Sequence, residues 1–450
     1  MRDRVEEFIA NPRRALFAMA GPVTIAMFVQ TMYNLVDTAY VGRLGAESIA
    51  ALTFAFPLFF IVIGINSGIG VGINSIVARR LGAKDKAGAE NAAVHGLVLT
   101  AVFGVVLLAA GLATQKRLFL LLGAEGHVLD LSMGYMTVIW LGILFMFPAY
   151  AINSIFSAQG DTRTPMVVQT AALVLNAVLD PVFIYPLGFG VQGAAIATVI
   201  ALASSLVLYV ILVRRHSDLK LDFRHFRFST SLCREILRVG APASLMMLIM
   251  SVYVMFLNRF MSHFGTEYVA AFGLATRLES LPGMLIVGIS VSLLTLVGMF
   301  TGARRFPMAK SISWHGLRIG VGLTSLIGVG FFIAPRLFLR IFTDETGILA
   351  LGAAYLRIDV LTFPMMAVTM IVSRVLQGLG FGLPGLVINL IRIFVVAVPL
   401  AYLFVFVLGY GYLSVAWAMV LGGVASNITA LLWLSLKFKG MTDADSLPGL

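Results

Sequence analysis

Asp37 stands near the far end of the first long apolar segment, within Gln30-Thr-Met-Tyr33-Asn34-Leu-Val-Asp37. A charge at the centre of a membrane helix costs roughly 2.5–3.5 kcal/mol on insertion scales, so a carboxylate kept there is expected to face a cavity or a partner. Gln30, Tyr33 or Asn34, and Asp37 recur at i, i+3 or i+4, and i+7, which is one polar stripe on a helix. Asn176 and Asp180, spaced i and i+4, share a face of a later segment, and Thr198 lies on the segment after it. Counted along the helix rise, Asp180 is about six residues and Thr198 about eight from the outer ends of their segments, so all four residues can reach one region of the outer half. Two carboxylates, an amide and a hydroxyl make the oxygen-rich set that a hard cation such as Na+ prefers. Without a metal cation, two carboxylates held close can share a proton in the same place. Pro181 frees the carbonyl of Ala177 as a further oxygen, and Pro22 gives the Asp37 helix a place to bend as occupancy changes. Tyr33, Asn34 and Thr198, taken singly, read as interhelical hydrogen-bonding glue more often than as ligands. Asn153 falls nearer the cytoplasmic end of its segment, where it reads as packing.

The elements that must hold these residues are membrane helices. Of the 450 residues, 60% are hydrophobic and 12% charged, and the mean hydropathy is +0.97; soluble domains carry about 25% charged residues. Apolar runs mostly longer than the roughly 20 residues of a helical crossing, without strand alternation, make the fold an all-α integral membrane protein. About twelve crossings are expected, near 14–40, 48–78, 91–114, 129–158, 163–186, 190–213, 233–260, 267–300, 311–333, 348–376, 383–408 and 411–436. The net charge of +11 falls in loops between apolar runs, which excludes nucleic acid as the natural partner. About 22 basic residues lie at the termini and alternate loops against about six on the other side, Arg43, Lys116, Arg117, Arg259, Arg336 and Arg340. The positive-inside rule then puts both termini in the cytoplasm, in a multi-pass protein of the cell membrane, here expected as a monomer. A single cysteine, Cys233, rules out an intrachain disulfide, and no phosphate-binding loop or His-Glu-x-x-His zinc pattern occurs.

A shift of 220 residues superposes Pro22 on Pro242, Tyr33 on Tyr253, Gly45 on Gly265, Gly82-Ala83 on Gly302-Ala303, His95 on His315 and Tyr135 on Tyr355. This is an internal repeat of six crossings, an even number, so the two halves share one orientation and are expected to be related by a pseudo-two-fold axis along the membrane normal. The domains expected are an N-lobe at 1–213, a cytoplasmic basic linker at 214–232 and a C-lobe at 233–450. The second half places Leu257 where the first has Asp37 and offers no acid for Asp180. It carries instead Glu279 and Arg392 at similar depths, expected to interact, with Arg277, Arg357 and Asp359 as competing partners. A structural ion pair and a transport role explain that pair equally well.

In sequence order, Pro22 with Tyr33-Asn34-Leu-Val-Asp37 and Gly42-Arg43-Leu44-Gly45, Gly70 through Arg79-Arg80-Leu-Gly-Ala, Gln159-Gly160-Asp161-Thr162-Arg163-Thr164-Pro165 and Asn176-Ala-Val-Leu-Asp180-Pro181 resemble the multidrug and toxic compound extrusion (MATE) family over nearly the whole chain. The resemblance is nearest to the archaeal and DNA-damage-inducible branch. It implies a transporter, not an enzyme, that needs no cofactor and exports amphipathic, often cationic drugs against H+ or Na+. Asp37, Asn176, Asp180 and Thr198 would be the coupling site, a Na+ site if sodium is the ion. Gln30, Tyr33, Asn34, Tyr135 and Asn153 would surround it, and the helix of Pro22 would bend during alternating access. The competing readings are a flippase of a lipid-linked precursor, which needs a cationic cavity for a diphosphate, and an intramembrane enzyme using Asp37 and Asp180 as an aspartyl dyad.

Overall fold

In a bilayer the backbone must satisfy its own hydrogen bonds, and apolar runs therefore close into helices. The computed structural model describes residues 4–221, 226 and 228–445; Arg2 and part of the expected 214–232 linker lie outside the described residues. A short α1 (Arg4–Ala10) leads into α2 (Pro12–Gly42), α3 (Ala46–Gly82), α4 (Lys86–Leu121), α5 (Gly126–Ala158), α6 (Arg163–Ile184) and α7 (Gly190–His216). The second half begins with α8 (Thr230–Ser262), α9 (Thr266–Gly302), α10 (Phe306–Ile333) and the short α11 (Pro335–Leu339). It ends with α12 (Thr346–Asp359), α13 (Thr362–Gly378), α14 (Leu383–Val407) and α15 (Leu413–Asp445). Among the described residues eleven helices are long and apolar enough to cross a membrane, and α12 with α13, bent by 49° at their junction, bring the number to twelve if the pair is counted as one span. The tenth expected crossing falls on this bent pair, which is interrupted after the buried Asp359.

Two compact units divide the chain, Gly21–Ser244 and Met1–Ala20 with Leu245–Leu450. In the first, α5 packs against α3, α4 and α7, and α6 packs on α7; in the second, α9 packs against α10, α12 and α13. The division cuts α2 immediately before Gly21-Pro22 and α8 two residues after Pro242. Proline removes a helical hydrogen bond, so both cuts fall where the helix is weakest. α14 shows another effect of proline. Pro399 leaves the carbonyl of Val395 without its donor, and the helix widens into π-turns at Ile391–Ala397, which hold Arg392, and again at Leu403–Val407.

The repeat is visible in the turns as well as the helices. Gly45 and Gly265 both have positive φ, 104° and 131°, and so do the non-glycines Lys84 and Arg304, at 58° and 55°. The next residue departs from the repeat. Asp85 caps α4, accepting the Gly88 N–H at 2.8 Å and pairing with Arg80 at 3.0 Å, whereas its counterpart Arg305 accepts nothing by its side chain. The Gly88 N–H first, then Arg80, hold the Asp85 carboxyl below the usual carboxylate range. A carboxyl so lowered adds stability above its unfolded pKa and loses it as pH falls through the folded value. Asp85→Ala should cost about 0.5–2 kcal/mol at neutral pH, the usual range for a lost cap. Thermal midpoints of the two proteins should converge in acid, and a constant gap across pH would contradict the assignment.

Candidate functional site

Four helices of the first unit carry the acid pair and its neighbours: α2 with Tyr33 and Asp37, α5 with Tyr135, α6 with Asn176 and Asp180, and α7 with Thr198. Asp180 is fully buried and Asn176 nearly so. Asn176 Nδ2 donates to Asp180 Oδ1 at 2.9 Å, while Asp180 Oδ2 is buried and receives no donor. The Asp37 carboxyl lies within hydrogen-bonding reach of Asp180. Two carboxylates form such a contact only when a proton or a bridging cation sits between them. Tyr33 reaches the Thr198 hydroxyl, which donates onward to the Ala194 carbonyl at 2.9 Å, and Tyr135 stands within electrostatic range of both acids.

Local packing fixes this geometry. At Gly193 on α7 a Cβ would stand 2.6 Å from the Phe183 carbonyl oxygen, so only glycine lets α7 approach the end of α6 so closely. An apolar cluster of Val41, Ile184, Val191 and Ala194, with Tyr40, Leu44, Leu52 and Tyr135 against it, packs beside the acids. Tyr185 ties α6 to α2 by donating to the Tyr40 carbonyl at 2.8 Å. Proximity to apolar walls raises the cost of an uncompensated charge, which favours a bound proton or metal ion over two bare carboxylates.

The other expected neighbours fall in two places. Gln30 donates to Asn34 at 3.1 Å and accepts from Gln169 at 3.1 Å, an amide ladder joining α2 to α6 two turns before Asp37. Asn153 donates to Tyr209 at 3.1 Å, beside the cluster of Ala149, Ile152, Phe156 and Val168. It lies roughly 27 Å along α5 from Tyr135 at the helical rise. Gln169 and Tyr209 were not singled out from the sequence, since an amide or a phenol on an otherwise apolar helix has no spacing signal of its own.

The second unit holds a different polar cluster around Tyr253 and Tyr355, the counterparts of Tyr33 and Tyr135. Glu279 on α9, Asp359 at the end of α12 and Arg392 on α14 interact there, each with at least one of the others. Asp359 and Arg392 are buried, and the Arg392 guanidinium lies over the Tyr253 ring at 5.9 Å. No ion pair within 4.0 Å joins Glu279 to Arg392 among the described residues, and Asp359 Oδ2 and Arg392 Nε are buried without a partner. Asp359, which the sequence offered only as a competitor, is thus a full member. Of the other competitors, Arg277 lies over Phe342 at 6.0 Å.

The MatE family model matches residues 22–182 and 242–403. The chain belongs to the MatE family. The two matches start 220 residues apart, at Pro22 and Pro242, the same shift that superposes the halves. Among curated MatE relatives, a probable multidrug resistance protein, YoeA, of Bacillus subtilis is 28% identical over 86% of each chain. An FAD transporter of Shewanella oneidensis is 29% identical over 90% of each. A solved MATE structure in a bent conformation has a TM-score of 0.94 and 31% identity, covering 99% of this chain and 100% of that one. The MatE protein is therefore a multi-pass membrane transporter, and the aspartyl-enzyme reading is withdrawn.

Proposed function

We propose that this MatE protein is a cation-coupled efflux antiporter that exports amphipathic, often cationic drugs in exchange for H+ or Na+ taken up at Asp37 and Asp180. The observation that carries this reading is the buried Asp180 Oδ2, which has no protein donor and lies in a carboxyl group facing a second carboxyl. A proton between them, or a Na+ ligated by both with oxygens from Thr198, Tyr33 and Asn176, would satisfy it. Drug export is supported by relatives named for multidrug resistance. The coupling step is a bend of α2 at Pro22, supported by the division between the two units beside that proline. The N-lobe, linker and C-lobe at 1–213, 214–232 and 233–450, cytoplasmic termini, a plasma-membrane location and a monomeric state complete the reading.

Glu279, Asp359 and Arg392, two carboxyls to one guanidinium, fit a mixed-charge cluster better than a diphosphate site. The one arginine there already shares its surroundings with two carboxylates, which disfavours the flippase reading. The test is efflux of a fluorescent lipophilic cation from proteoliposomes under an imposed pH or Na+ gradient. Efflux should follow one of the two gradients and stop when an ionophore collapses it. Efflux indifferent to both would sink the antiport mechanism.

A further inference from the structure

The two histidines near the start of the third crossing of each half face different surroundings. His95 on α4 is buried, bonded through Nδ1 to the Asn91 carbonyl at 2.8 Å, and its Nε2 accepts the Ser229 N–H at 2.9 Å. The Phe226 and Phe228 rings close over it at 4.8 and 6.3 Å between centroids, so these two residues with Ser229 plug this position. His315 on α10 is its repeat counterpart, and the residues corresponding to that plug are Glu6 to Ile9. No ring contact or hydrogen bond closes over His315 among the described residues. A cavity of about 280 Å³ lies there instead, its polar lining Asn11, Arg13, Arg14, Ser311 and His315. Small-molecule sites begin at roughly 300 Å³, so this one has the size of a headgroup and not of a drug.

The cavity is strongly cationic. Arg13 and Arg14 line the wall, Arg13 and the nearby Arg318 are the charged groups that act on His315, and among the described residues no carboxylate lines the wall. Neither Arg13, Arg14 nor Arg318 has an ion-pair or hydrogen-bond partner among the described residues, whereas Arg79 and Arg80 are both paired. Arginines left unneutralised around a concave site match phosphate oxygens, to which a guanidinium binds in a two-bonded fork. α2 begins at Pro12 on the same wall, which adds the positive end of its dipole. The positive-inside count puts this face at the cytoplasmic leaflet, where basic pockets between transmembrane helices take anionic headgroups.

We propose that the cavity between the start of α2 and α10 binds a phosphate-bearing anion, either the headgroup of an anionic phospholipid or free phosphate. The site is distinct from the acid pair and stands whether or not the coupling mechanism above is correct. Its test is native mass spectrometry of the purified full-length protein in micelles containing phosphatidylglycerol or phosphatidylcholine. Wild type should retain one phosphatidylglycerol and no phosphatidylcholine. R13Q/R14Q should weaken that retention roughly thirtyfold, as two lost basic residues at a membrane surface imply. Ser311→Trp, which fills the cavity without changing charge, should do the same if the double variant fails to fold. R336Q/R340Q, in the basic group assigned to the opposite face, should retain the lipid. Displacement of phosphatidylglycerol by inorganic phosphate would identify free phosphate as the source, and resistance to it the headgroup. Equal retention of both lipids, wild-type retention by R13Q/R14Q or S311W, or equal loss with R336Q/R340Q would overturn the proposal.

Discussion

Asp180→Asn is expected to reduce gradient-driven efflux at least tenfold while leaving the fold and drug binding nearly unchanged. Asparagine keeps the shape of the side chain and can still accept from Asn176 through its oxygen, so the 2.9 Å link within α6 survives. It removes the charge that a proton or Na+ would neutralise, and with it the energetic difference between loaded and empty states. A ligand shifts a conformational equilibrium only by its differential affinity for the two states, so a site that no longer distinguishes them cannot drive one. Asp37→Asn should have a similar effect, because the two carboxyls share one occupant. The double variant should then be no worse than either single, the non-additivity expected of residues acting as a unit. Glu279→Gln, in the mixed-charge cluster of the second unit, should fall well short of this loss. Efflux rates, together with H+ or Na+ uptake on drug addition, measure all four proteins. Independent, multiplicative losses at Asp37 and Asp180 would mean two sites, and retained coupling in both single variants would remove the acid pair from the mechanism.

The acid pair was legible in the sequence because a membrane carboxylate is costly and helical spacing says which residues share its face. Asn176 and Asp180 at i and i+4 could hardly be anything but neighbours, and the depth count brought α2, α6 and α7 to one level. Residues bound across helices without such a marker were not legible. Gln169 meets Gln30 across 139 positions of chain, and Tyr209 meets Asn153 across 56. Asn153 itself shows the limit of the resemblance: it lies on the same helix as Tyr135, yet far along it. In the second half the missing counterpart of Asp37 was clear from Leu257, which is buried in an apolar cluster. The polar cluster there was harder to foresee, because its acids come from α9 and from the break between α12 and α13, positions at which the first half has Phe59 and Ile139. The tyrosines persist at equivalent places while the charges around them have moved. A repeat therefore predicts the scaffold of a site more securely than its chemistry.

Gly193→Ala should destabilise the protein and impair transport, whereas Gly322→Ala should do neither. Both are glycine-to-alanine changes inside helices, so both reduce the freedom of the unfolded chain by the same amount, a gain of about 0.4–1 kcal/mol where the new methyl group fits. At Gly322 on α10 nothing lies within 4 Å of the added Cβ, and that gain should appear as a slightly raised thermal midpoint. At Gly193 the Cβ would meet the Phe183 carbonyl oxygen at 2.6 Å, its carbon at 2.7 Å and the Ile184 nitrogen at 2.9 Å. These are backbone atoms, which cannot rotate away as a side chain can, so α7 must move from the end of α6. Overpacking of this kind costs about 1–3 kcal/mol, which outweighs the entropic gain and should lower the midpoint by several degrees. The same displacement carries Thr198, five residues further along α7, away from Tyr33 and from the level of Asp180. Efflux should therefore fall in Gly193→Ala together with stability, in contrast to Asp180→Asn, where it falls alone. A Gly193→Ala protein with unchanged midpoint and full efflux would show that the close approach of α6 and α7 is not what positions the acid pair.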